Sequence, residues 1–218
     1  MSADTVQTII DDLGALLLFT MILIIAATQV FRAIYAVAAQ SLLIAVAGGV
    51  LAIATGNADL WVIAGITLGI KAIALPWVLH WVVRRMNVRR EVEPMIPIWV
   101  TLALAVAVIV MSFHLSASLG PVRQAITGNA LPVGIALTLL GVLVMATRKT
   151  ALTQMVGLFA SENGIFFTAM AVTQGMPFII EIGVTLDVIL AALVMTIMVL
   201  RVRSTVDADI ADLDRLRG

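Results

Sequence analysis

A chain of 218 residues that is 62% hydrophobic and only 12% charged, with a mean hydropathy of +1.14, is far more apolar than a soluble domain of its size and belongs in lipid. Thirteen Lys and Arg balance thirteen Asp and Glu, so total charge gives no reason to expect nucleic acid or an acidic partner. The absence of cysteine excludes disulfides, thiolate-held zinc and cysteine-ligated iron–sulfur clusters within the chain, so no cofactor is expected here and any redox centre sits in a partner.

The first residues, MSADTVQTIIDDLGALLLF, place three Asp and no Lys or Arg ahead of an apolar run. A signal peptide needs a basic leading region, so this run is expected to be a retained helix. A membrane helix needs about 20 mostly apolar residues to cross about 30 Å of hydrocarbon. Seven stretches qualify, near 11–31, 35–55, 60–82, 97–118, 130–147, 150–173 and 177–200. The separators carry turn chemistry, as at Gly56-Asn57-Ala58-Asp59, Gly120-Pro121, Gly128-Asn129 and Gly175-Met176-Pro177. The expected fold is an all-α, polytopic transmembrane bundle of about seven spans. It comprises a four-helix region over 1–129, a three-helix region over 130–203 and a short tail over 204–218, where Ile210, Leu213 and Leu216 recur every third residue. That tail reads equally as a brief amphipathic helix or a frayed end.

Lys and Arg accumulate in short cytoplasmic loops, which provides an independent check on the count. With seven spans, Arg32, Arg84, Arg85, Arg89, Arg90, Arg148, Lys149, Arg201 and Arg203 fall on one face and Arg123 alone on the other. The N-terminus is therefore expected outside and the C-terminus inside. The basic loop around Arg84–Pro94 is short, and no soluble catalytic domain is expected within it.

Three charged residues fall inside spans, where each costs about 2.5–3.5 kcal/mol on insertion scales unless it is paired, hydrated or neutralised. Lys71 lies 13 residues before Arg84, Glu162 lies 13 after Lys149, and Asp187 lies 14 before Arg201. At 1.5 Å per residue each is about 20 Å from a cytoplasmic-edge marker, which puts all three near the midplane. Any one alone is as well explained by a buried ion pair that holds helices together. Three at one depth suit a proton relay, because burial and a neighbouring lysine act in opposite directions on a carboxyl group. Glu181, 20 residues before Arg201, is expected near the outer boundary, as a proton exit or a solvated helix end. His80 and His114 lie near span ends, fit interfacial roles better than relay roles, and do not form a metal site.

Pro76 withholds a hydrogen bond from the Ala72 carbonyl and predicts a kink beside Lys71 with a hydrated pocket. Gly65 and Gly69 form a GxxxG pair that predicts close helix approach. Asn163-Gly164, directly after Glu162, adds a small polar patch in mid-helix.

From residue 131 onward the order is an apolar span, a basic turn, a span with a central Glu and a span with a central carboxylate. That order resembles the K subunit of bacterial complex I and its counterparts in cation/proton antiporter complexes. The segment Arg148-Lys149-Thr150-Ala151-Leu152-Thr153-Gln154-Met155-Val156-Gly157-Leu158-Phe159-Ala160-Ser161-Glu162-Asn163 looks like that subunit's basic loop and glutamate-bearing helix. With four preceding helices, the whole chain is similar to component E of hydrogenase-4, a membrane subunit of formate-hydrogenlyase-type assemblies. The similarity rests on Ser161-Glu162-Asn163-Gly164-Ile165-Phe166, the stretch Gly175–Val188 and, more weakly, Lys71 with Pro76-Trp77. The resemblance implies a non-catalytic subunit of a proton-translocating oxidoreductase complex, with no redox active site in this chain, in a prokaryotic inner membrane. Its implied partners are antiporter-like subunits and a quinone- or hydrogenase-module anchor, with peripheral redox subunits reached indirectly. It also implies Glu162 as the glutamate on the central axis. Asp187 stands where the K subunit has a second glutamate; it is shorter, and Glu181 is the alternative.

Three rival readings have different signatures. A stand-alone secondary transporter calls for matching broken helices and an even repeat, neither of which is visible. A retinal photoprotein needs its lysine in the last helix, whereas Lys71 is in the third span. A purely structural membrane anchor remains open.

Overall fold

The structure is a computed structural model that describes residues 2–85, 94–118, 129–173 and 183. Every element among them is helical, and five helices are long and apolar enough to cross a membrane. The chain divides into two compact units, Met1–Met176 and Pro177–Gly218. The second unit, and with it the expected span 177–200, lies outside the described residues apart from position 183.

Helix α1 (Ala3–Ala26) begins where the Ser2 hydroxyl accepts the Thr5 N–H at 3.3 Å, an N-cap that satisfies one of the orphan donors of the first turn. Its buried residues Ile10, Leu13, Leu17, Met21 and Ile24 recur at three- and four-residue intervals and make one stripe. Leu16, Phe19 and Leu23 are equally apolar and exposed. A helix that is apolar on both sides has one face for protein and one for acyl chains.

Helix α2 (Val30–Thr55) ends at Gly56, whose φ of 69° is left-handed and whose N–H closes on the Ala52 carbonyl at 2.9 Å. The next rod has three parts: α3 (Ala58–Ile66), a π-helical segment (Thr67–Ala74) and α4 (Leu75–Arg85). Asn57 caps its start by accepting the Asp59 N–H at 3.0 Å. Helix α5 is Ile98–Ser118. Its buried residues are the small or hydroxyl-bearing Thr101, Ala105, Ser112 and Ser116, while Val106, Val110 and Met111 face outward.

Helices α6 (Ala130–Thr147) and α7 (Ala151–Thr173) form an antiparallel hairpin. Glycines set its spacing. A Cβ on Gly157 would lie 2.8 Å from the Gly141 carbonyl oxygen, and one on Gly164 would lie 2.8 Å from that of Gly134. Both pairs are seven residues apart along their helices, so glycine faces glycine at two levels of one seam. By contrast, a methyl group on Gly65 or Gly69 would meet nothing within 4 Å, so the close approach predicted for them is absent among the described residues. It occurs in the hairpin, where the spacing is seven rather than four.

Helix α2 packs against α1, the rod and α7, and α6 packs against α7, α1 and α5. The ends are tied by hydrogen bonds. The Asn129 N–H donates to Asp11 at 2.8 Å, which sets a carboxylate at the start of α6. The Met95 N–H donates to the Thr147 carbonyl at 2.8 Å, and the Arg148 guanidinium donates to the Ile25 carbonyl near the end of α1. Arg148 is buried, and desolvation there pulls its guanidinium below the usual arginine range.

Candidate functional site

Lys71 is at mid-length of the rod and Glu162 at mid-length of α7. The fold brings them together, with Lys71 Nζ 3.4 Å from Glu162 Oε2 and side-chain exposures of only 9% and 12%. Phe166, one turn beyond Glu162 on the same face of α7, lies under the ammonium with its ring centre 5.6 Å away. The cation is held between a carboxylate and an aromatic face.

The rod supplies Lys71 from its π-helical segment. There the Leu75 N–H reaches back five residues to the Ile70 carbonyl. In a regular α-helix the Pro76 ring would press on the Ala72 carbonyl, and a wider turn gives that carbonyl room. A π-helical segment thus stands at Lys71, where a kink is expected, with Thr67 and Lys71 as its buried residues.

Directly beside the pair is a second polar group that hydropathy does not single out. Asn163 Nδ2 donates to Gln40 Oε1 at 3.2 Å and to Ser41 Oγ at 3.1 Å, and all three residues are almost fully buried. Gln40 and Ser41 come from the middle of α2. An available signal was two adjacent polar residues at the centre of a 26-residue apolar helix. The site therefore spans three elements, from the rod through α7 to α2.

Helix α7 corresponds to the expected 150–173 stretch and carries Thr153, Gln154, Ser161, Glu162 and Asn163. Asp187 and Glu181 lie outside the described residues. His80 is half-buried at the other end of the rod, 3.4 Å from the Tyr35 hydroxyl and against the Phe31 ring, while His114 is exposed on α5. No group of three or more His, Cys, Asp or Glu suited to a metal ion occurs among the described residues.

Chemically, a buried lysine and carboxylate in contact form an ion pair, and this one ties the rod to α7.

No family model matches the chain, and no solved structure matches it. Among curated proteins it is similar to Rv0085 of Mycobacterium tuberculosis (strain ATCC 25618 / H37Rv), a protein described as uncharacterized, with 33% identity over 151 residues that cover 69% of this chain and 68% of that protein.

Proposed function

We propose, from the premise that the chain belongs to one family with the Mycobacterium tuberculosis protein Rv0085, that it is a non-catalytic, multi-pass subunit of a complex I-like or hydrogenase-type membrane assembly. In that reading it supplies midplane titratable groups to a proton or cation path, and redox chemistry in partner subunits drives their protonation. The carrying observation is the buried contact between Lys71 and Glu162 at mid-length of two helices. The local resemblance around Glu162 supports the choice of partners: antiporter-like subunits on one side and a quinone- or hydrogenase-module anchor on the other.

A proton delivered to the Glu162 carboxylate neutralises it and frees the Lys71 ammonium from its counter-charge. The lysine can then lose its own proton or turn to the next acidic group. Asp187, or Glu181 in its place, is the proposed next group on the depth count. The arginine distribution supports an outside N-terminus and an inside C-terminus, and the resemblance implies a prokaryotic inner membrane.

A structural anchor is the second reading, and one specific observation favours it. The same polar groups connect the rod, α7 and α2, as a purely cohesive cluster would. Proton uptake by the purified, reconstituted complex carrying Glu162→Gln separates the two. The relay reading expects an assembled complex that no longer translocates protons. Assembly and pumping both at wild-type levels would exclude Glu162 as an essential relay group. An isolated, homogeneous monomer that transports a solute would exclude the subunit reading altogether.

A further inference from the structure

We infer that Asn163, Gln40 and Ser41 are positioning residues for the Lys71–Glu162 pair: their buried hydrogen bonds set the rotation of α7 that aims Glu162 at Lys71. The inference rests on the proposed function only for the importance of that aim; the geometry stands separately.

Glycine against glycine brings α6 and α7 to a short axial separation, with Thr168 set against Gly134 and Thr138 against Gly164. The buried hydrogen bonds of Asn163 fix the rotation of α7 against a third helix, α2. Helical rotation is about 100° per residue, so the directions of Glu162 and Asn163 are rigidly linked. Whatever holds Asn163 also holds Glu162.

Asn163 is held on both of its amide hydrogens. Nδ2 has two to donate, and the structure gives it two acceptors, Gln40 Oε1 at 3.2 Å and Ser41 Oγ at 3.1 Å. Gln40 and Asn163 are 0% and 1% exposed, and in the bilayer interior no water competes for these donors. Turning α7 by a fraction of one residue would break both bonds within an apolar surround. Gln40 is itself placed by Met21 of α1, whose sulfur is 4.0 Å from Nε2. The direction of Glu162 is thus referred through α2 to the α1–α2 core.

A positioning role differs from general cohesion in what it moves. The chain has no cysteine, so Lys71→Cys with Glu162→Cys provides a clean pair for a short bifunctional thiol reagent in the membrane-embedded full complex. Adding Gln40→Leu, which removes one acceptor while keeping an apolar side chain of similar size, is expected to lower the cross-linking yield severalfold. Ser41→Ala, a milder change that removes the other acceptor, is expected to lower it less. If Gln40→Leu does not accumulate, Ser41→Ala decides alone. Yields equal to the parent pair in assembled protein overturn the inference.

With the native pair intact, Gln40→Leu is further expected to displace the pH profile of proton translocation and reduce its rate about tenfold, as a small misplacement of a reacting group does. Where Glu162→Gln abolishes pumping, an unchanged profile and rate in Gln40→Leu also overturn the inference. Normal pumping in Glu162→Gln together with reduced cross-linking in the Gln40→Leu background would refute the relay reading and leave the positioning geometry standing.

Discussion

Gly141 and Gly157 meet across the α6–α7 seam so closely that a methyl group on either would overlap the other's carbonyl oxygen, at 2.6 Å from Gly141 and 2.8 Å from Gly157. The obstacle in each case is backbone, which cannot rotate away as a side-chain tip can. Gly141→Ala and Gly157→Ala are therefore expected to destabilise the protein by about 1–3 kcal/mol each, the usual range for overpacking. Thermal unfolding in detergent measures this. Gly65→Ala and Gly69→Ala are the controls: an added methyl there meets nothing within 4 Å, so both should leave the isolated chain unchanged or slightly more stable. If those controls instead impaired assembly of the larger complex, that face would be a subunit contact.

The Lys71–Glu162 pair predicts a non-additive stability cycle. Removing one partner leaves the other's charge buried, which costs about 3–5 kcal/mol, whereas neutral residues of similar volume at both positions restore much of the loss. Lys71→Met and Glu162→Gln should each lower the unfolding temperature. The double variant Lys71→Met with Glu162→Gln should recover most of it while remaining inactive in proton uptake. Additive losses would mean that the two side chains do not act as a pair.

Arg148 predicts a stability effect at the opposite end of α7 from Thr173. Its guanidinium donates to the Ile25 carbonyl, so Arg148→Ala leaves that acceptor at the end of α1 without its partner and should cost about 1–3 kcal/mol. The pH dependence follows from the direction of its shift. Burial lowers the folded-state value of this base, so the charged form is penalised at every pH below that value and relieved only as pH rises through it, in strongly alkaline solution. The stability difference between wild type and Arg148→Ala should therefore stay flat around neutral pH and change only as alkaline pH begins to remove the guanidinium proton. A steep slope in that window would mean that another group titrates with it.

Orientation is open to direct labelling because the background has no cysteine. Ala58→Cys, at the exposed first residue of α3, should react with a membrane-impermeant thiol reagent on intact cells. Met95→Cys, 60% exposed in the segment before α5, should react only after the membrane is opened. The reverse pattern would invert the arginine-based orientation and move the proposed proton exit to the other face.

Much of the architecture is legible in the sequence because lipid imposes a length on apolar runs. The first five expected stretches correspond to the five helices able to span a membrane, and 150–173 corresponds to α7. The boundaries differ where capping chemistry acts at a distance from the apolar run. The polar start of α1 belongs to the helix because Ser2 caps it, well before hydropathy rises. The glycine seam is hidden in the sequence because its period of seven is unlike the four-residue GxxxG pattern, and Gly65–Gly69, which has that pattern, faces outward.

For the candidate site, counting residues from the nearest arginine or lysine was enough to put Lys71 and Glu162 at one height, because helical rise is constant. Height is a single coordinate. Which way each side chain turns, and which helix stands opposite, depends on how ridges, glycines and hydrogen bonds settle between helices far apart in sequence. Sequence by itself thus brought Lys71 and Glu162 to one height, while Asp187, expected in the same layer, lies outside the described residues. Only the tertiary structure decided that Lys71 and Glu162 touch, that a π turn before Pro76 carries the lysine, and that the uncharged Gln40 and Ser41 hold the neighbouring Asn163.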